Sequence, residues 1–193
     1  GAIGDGGSTF GFTKSGLGSV TLNAVNTYTG ATTITAGSLV SGVGLAIDIA
    51  SDVTVNGANA VLDLQAFNLS VNSVSLQNGG LIDGTGQLTS ATDFDVQNGT
   101  INAQLSGSVG LTKTTDSTVT LSNGANDFSA TTTVSNGILQ ITDVGALGDV
   151  TANTVVADGG TLDVNTTGTL TEVLNIQGSG EGGIGALIAT ATG

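Results

Sequence analysis

Glycine-containing turns recur along this chain at a nearly fixed step, and that step constrains the fold more than any other feature. The turns are Ala36-Gly37, Asn56-Gly57, Asn78-Gly79, Asn98-Gly99, Asn136-Gly137, Asp158-Gly159 and Gln177-Gly178. From glycine to glycine they lie 20, 22, 20, 38, 22 and 19 residues apart. The 38 holds two steps of 19, with one turn replaced near residue 118. A step of roughly 20 residues is one coil of a β-solenoid. Alternating apolar residues flank most of the turns: Val53/Val55, Val74/Leu76, Phe94/Val96 and Leu174/Ile176 before them, Leu62/Leu64, Ile101/Ala103/Leu105, Leu139/Ile141 and Leu162/Val164 after them. Period two describes half-buried strands with one face inward. An isolated Asn-Gly pair suggests an antiparallel hairpin, but the fixed step with two or three strands in each favours coiling. A lone coil cannot bury enough apolar surface to offset the entropy of ordering its residues, so coils must stack.

A longer period contains the shorter one. Thr13-Lys14 and Thr112-Lys113 lie 99 residues apart, and from Asn26 onward the offset is 100: Asn126, Thr132-Thr133, Gly137, Leu139 and Leu162-Asp163 answer Asn26, Thr32-Thr33, Gly37, Leu39 and Leu62-Asp63. Two diverged copies, about 13–80 and 112–180, are joined by 81–111 within one continuous solenoid over 1–193. Lys14 with Lys113, Tyr28 with Phe128, and Gly37 with Gly137 define the repeat. The two lysines are read as solvent-exposed beside a turn, and the two aromatics as packing over a turn or in the core.

Composition excludes several functions. The net charge is −13, with two lysines and no arginine, so the chain cannot neutralise the phosphates of a nucleic acid. No stretch is long and apolar enough to insert in a membrane as a helix. Only 9% of residues are charged. Equivalent positions in stacked coils lie about 5 Å apart, where a column of like charges repels; neutral Thr, Ser and Asn columns avoid this and can bond along the stack. The chain contains no Met, and is read as a processed product or an excerpt.

With no His or Cys, histidine- and thiolate-based catalysis and metal binding are removed. Paired carboxylates remain. Asp93 and Asp95, two apart on an expected strand, share a face about 6.5–7 Å apart, a spacing compatible with glycoside hydrolysis. Phe94 and Val96 would point inward and leave both acids in solvent, so the chain is expected not to be an enzyme. Asp93, Asp95 and Asp158 are the candidate metal ligands. No EF-hand loop or nonapeptide calcium run is present, so no cofactor is expected beyond loosely bound Ca²⁺.

Gly11-Phe12-Thr13-Lys14-Ser15-Gly16-Leu17-Gly18-Ser19-Val20-Thr21-Leu22, followed by Asn26-Thr27-Tyr28-Thr29-Gly30-Ala31-Thr32-Thr33-Ile34, resembles the autotransporter-associated β-strand repeat, whose pattern runs GLTKTGxGTLTLSGxNTYTGxTTI. A second, degraded copy has Gly110-Leu111-Thr112-Lys113 and Thr118-Val119-Thr120-Leu121, with Asn126-Asp127-Phe128-Ser129 in place of Asn-Thr-Tyr-Thr. The resemblance implies an extracellular or surface-displayed passenger of a Gram-negative bacterium, a parallel β-helix, and a role in adhesion or extracellular structure. It carries no catalytic residues.

The expectation is therefore an all-β, right-handed parallel β-helix of about ten coils without a capping helix. It would serve as a structural repeat segment of a fibre, surface layer or adhesin stalk. A carbohydrate- or surface-binding adhesin module is the alternative, and a polysaccharide-acting enzyme the second. The expected partners are further copies of the repeat, in the same chain or end to end beyond Gly1 and Gly193, and surface glycans.

Overall fold

The computed structural model describes residues 1–191. Two long parallel sheets face each other across the core. Sheet 1 stacks Phe12–Lys14, Thr32–Ile34, Asp52–Asn56, Ser73–Gln77, Phe94–Val96, Leu111–Lys113, Thr132–Val134, Asn153–Val156 and Val173–Ile176. Sheet 2 stacks Ser19–Leu22, Gly37–Ser41, Ala60–Asp63, Gly80–Asp83, Gly99–Ile101, Thr118–Leu121, Gly137–Ile141, Gly160–Val164 and Leu187–Ile188. One strand of each makes a rank, numbered 1 to 9 from the N-terminal side. A third side closes each coil. It is a sheet only where Leu69–Val71, Gln87–Ser90 and Gln104–Ser106 pair, in ranks 3 to 5, and is irregular elsewhere.

Every strand pairing is parallel and joins residues about one coil apart, as in Leu39 with Leu62 and Leu139 with Leu162. Nine ranks enclose eight steps, against the ten coils expected from length. The difference lies at the two ends: residues before Phe12 supply only an isolated bridge, Gly4 to Thr27, and the corner of rank 9 takes up the long segment between Ile176 and Leu187. The sole helical segment among the described residues is the 3₁₀ turn Glu181–Gly183 in that corner.

The core is one continuous column of Val, Ile and Leu, with Phe94 and Phe128 fully buried. Inward alternation holds at Val53/Val55, Val74/Leu76, Leu62/Leu64 and Leu139/Ile141. It weakens at Leu174/Ile176, because rank 9 has a described neighbour on one side only. All seven turn glycines identified from the sequence have positive φ, which explains their spacing: each coil bends sharply once between its two long-sheet strands. The replaced turn falls at Thr114–Ser117, between ranks 6's two strands.

Polar residues on the outer faces bond along the axis. Ser75 donates to Asp95 at 2.9 Å, and Thr120, Gln140 and Asp163 link ranks 6, 7 and 8, the amide of Gln140 donating to Asp163 at 2.8 Å. Like charges are not wholly avoided: Asp63 and Asp83 are register partners. Each carboxylate takes a neutral donor, Gln65 for Asp63 and Asn102 for Asp83.

Candidate functional site

The residues that define the repeat are used to fasten one coil to the next. Lys14 and Lys113 end their sheet-1 strands in the inward phase of the alternation, two residues after Phe12 and Leu111. This corrects the expectation of exposed lysines: Lys14 is 4% exposed and Lys113 fully buried. The reason is geometric. An inward side chain at the end of a strand lays its stem along the core and reaches the open carbonyls of the corner. Lys14 Nζ donates to Gly16 O at 2.5 Å within its own corner and to Ala36 O at 2.9 Å in the corner above. Lys113 Nζ repeats the arrangement with Thr115 O in its own corner and Asn136 O in the corner above, the latter at 3.1 Å. Burial pushes the Lys113 ammonium down to about 8, while the nearby charges of Asp116 and Glu181 oppose that shift.

Gly37 and Gly137 belong to the same device. Each sits in the upper corner at a φ of 68° and 67°. A Cβ on Gly37 would lie 2.3 Å from Gly18 O and 2.6 Å from Lys14 Nζ; on Gly137 it would lie 2.1 Å from Thr115 O. The glycine gives the lysine and its carbonyls their room. The copies differ in what receives the glycine N–H. Gly37 donates to Asn59 O at 2.7 Å, one rank up. Gly137 donates to the Glu181 carboxylate at 3.2 Å, which the rank-9 corner brings back from two ranks up.

Asn26 and Asn126 make the second fastening. Both are buried on the third side. Asn26 accepts from Ile3 N at 2.7 Å and donates to Ala46 O at 2.6 Å; Asn126 accepts from Leu105 N and donates to Ala146 O, each at 2.8 Å. One carboxamide thus spans three successive coils. The sequence marked these asparagines only as matching anchors. The missed signal was phase: Leu22, Asn26, Tyr28, Gly30, Thr32 and Ile34 are all even-numbered and all buried, so inward alternation runs through the segment between the strands.

Tyr28 and Phe128 are both in the core, at 1% and 0% exposure. The Tyr28 hydroxyl bonds Thr32 Oγ1 at 2.8 Å, Thr32 Oγ1 bonds Ser51 Oγ at 3.0 Å, and Ser51 donates to Gly30 O at 2.8 Å. Burial pushes the Tyr28 phenol up, with the Thr32 bond opposing. Phe128 instead meets Phe94 edge to face, with ring centroids 6.1 Å apart.

The three candidate acids do not form one cluster. Asp93 is exposed and precedes its strand, accepting from Gly110 N at 2.7 Å. Asp95 is half-buried and holds Ser75 and Gln97. Asp158 is in an exposed corner, three ranks above Asp95 in sheet 1. Among the described residues no group of three or more His, Cys, Asp or Glu is placed to hold a metal ion. No helix among them is long and apolar enough to cross a membrane.

Residues 12–40 and 111–141 match the family model described as the passenger-associated-transport-repeat. These are the segments that carry the lysine, asparagine and aromatic fastenings. The chain is 33% identical over 209 residues to the adhesin BmaC autotransporter of Brucella suis biovar 1 (strain 1330); the match takes in 98% of this chain and 6% of that protein's length. No solved structure matches the chain.

Proposed function

The chain carries two passenger-associated-transport-repeats in one β-solenoid, and from that premise we propose that it is a load-bearing stalk segment of a surface-displayed bacterial passenger. The observation that carries this reading is where the repeat spends its distinctive residues. Lysine, asparagine and glycine join successive coils, and Tyr28 anchors the Thr32 hydroxyl that bonds Ser51 in the next coil; none presents a reactive group to solvent. A segment of this kind transmits force along its axis through main-chain ladders and the fastenings between them. Its location is the cell surface or outside the cell, its partners are further repeats on either side, and it needs no catalytic centre.

Single-molecule pulling on the chain, held near its two ends, tests this. Unfolding should proceed in steps that each release one coil, about 70 Å of extended chain, with the largest resisting forces at the two lysine corners. Smooth, low-force extension without steps at those corners would defeat the stalk reading.

A second reading rests on the outer face of sheet 1. Thr13, Thr33, Thr54, Ser75, Asp95, Thr112 and Thr133 are successive register partners, forming a straight file of mostly hydroxyl groups at about 4.8 Å spacing. Such a face suits a neutral polysaccharide. Saturable binding on a glycan array that disappears when Thr33 and Thr54 become Lys supports this module as an adhesive surface; a blank array leaves the stalk alone.

A further inference from the structure

The second copy has one buried group without a partner. Thr132 is 1% exposed, and among the described residues its hydroxyl is the buried side-chain polar atom with no hydrogen-bond partner. The first copy shows what that position requires. Register fixes the correspondence: Thr32 pairs with Val53 in the coil above, and Thr132 with Thr154. Two residues before those partners stand Ser51 and Ala152. Four residues before the threonines stand Tyr28 and Phe128, and two before them Gly30 and Ala130. Both hydroxyls that satisfy Thr32 are therefore lost together, each replaced by a hydrogen, one on a phenyl ring and the other on a methyl group. The strand pairings and the asparagine bridge around the position are kept in both copies.

We propose that a single buried water occupies the space between Thr132, Phe128 and Ala152, bonded to the Thr132 hydroxyl and donating to the Ala130 carbonyl. Three requirements for a structural water are met. Room comes from the two oxygen atoms removed, less the methyl group that Ala130 adds in place of Gly30. There are polar partners, because the threonine hydroxyl can donate and accept, and the Ala130 carbonyl corresponds to the one that takes the Ser51 hydroxyl in the first copy. The flanking groups are apolar and buried: Phe128 is 0% and Ala152 9% exposed. Bound there, the water takes the place of the lost hydroxyl oxygens in linking the end of rank 6's third side to the rank-7 strand. A water-mediated link of this kind is nearly as favourable as a direct one.

Water-to-protein NOE and ROE measurements on the intact chain test the site, with the Thr132 γ-methyl and amide protons as reporters. The expected result is a cross-peak of the sign given by a long-lived bound water at Thr132, and none at Thr32. In Phe128→Tyr, and separately in Ala152→Ser, the cross-peak should vanish as the added hydroxyl takes the water's place. A high-resolution crystal structure should show a peak about 2.7–3.0 Å from both Thr132 Oγ1 and Ala130 O. A Thr132 free of any water contact in the unaltered chain overturns the proposal by itself, whether or not either variant folds. So does a cross-peak that persists unchanged in both variants.

Discussion

The first copy of the repeat holds Thr32 between the hydroxyls of Tyr28 and Ser51; the second holds Thr132 between a phenyl ring and a methyl group. A few residues away, the lysine corner and the asparagine bridge are nearly superimposable in their bonding. Divergence has removed hydroxyls and left the charged and carboxamide fastenings untouched. The physical reason is the number of groups each one satisfies. Removing a lysine would strand carbonyls in two coils, and removing an asparagine would strand an N–H below and a carbonyl above. Loss of Tyr and Ser together leaves one hydroxyl without protein partners, a smaller penalty that one buried water can relieve.

The largest effects should fall where the copies agree. Gly37→Ala and Gly137→Ala each force a Cβ into backbone oxygen at positive φ, and each should cost about 4 kcal/mol or more, lowering the melting temperature by roughly 10 °C. Calorimetry showing one of them tolerated would break the equivalence of the two corners. Next comes a graded difference. Asn126→Ala strands Leu105 N and Ala146 O between fully formed ranks and should cost about 3 kcal/mol, whereas Asn26→Ala, whose lower partner Ile3 is exposed, should cost about 1–2 kcal/mol. Denaturant titration giving equal costs would mean that position along the rod has no bearing.

A sharper contrast is expected at the threonines. Thr32→Val should cost about 1–2 kcal/mol, and Thr132→Val about 0.5–1 kcal/mol, because it gives up one water-mediated bond rather than two direct ones. Equal losses in urea melts would show that the hydroxyl network is not what separates the copies.

The smallest effect is a divergence at alkaline pH. Lys113 has its folded value near 8, below the ordinary lysine value of about 10.4. Between the two, the unfolded chain carries a proton the folded chain has lost, so stability rises with pH through that window. Tyr28 is displaced upward, so above its ordinary value of about 10 the unfolded phenol ionises first and stability falls. Hydrogen exchange should show the second copy gaining protection from pH 8 and the first copy losing it above pH 10. Lys113→Met should abolish the gain; a gain that survives this change would assign it elsewhere.

Much of the fold can be read from residue order because a solenoid writes its coil length into the chain. Turn glycines, alternating Val, Ile and Leu, and the offset of about 100 residues between Lys14 and Lys113 or Asn26 and Asn126 are all local or periodic signals, and each corresponds to a corner, a strand or a matched position in the structure. The candidate site was legible only as a set of matched residues. Lysine on a β-rich chain suggests solvent, and nothing in Phe12-Thr13-Lys14 says that a stem will run along the core. Asp93 and Asp95 looked like a pair because they are two apart, but the structure gives each its own donors.

Residue order by itself determined the step, the strand phase, the acidic and sparsely charged surface, and the two copies of the repeat. Tertiary structure alone decided which carbonyls, in their own corners and in the corners above, Lys14 and Lys113 reach, that Asn26 and Asn126 each reach across three coils, and that Thr132 lost both partners at once. Those decisions depend on neighbours 20 or so residues away in the chain and about 5 Å away along the axis. A change of one residue in coil length moves every such neighbour, so contact between coils is set by register, which only the stacked structure fixes.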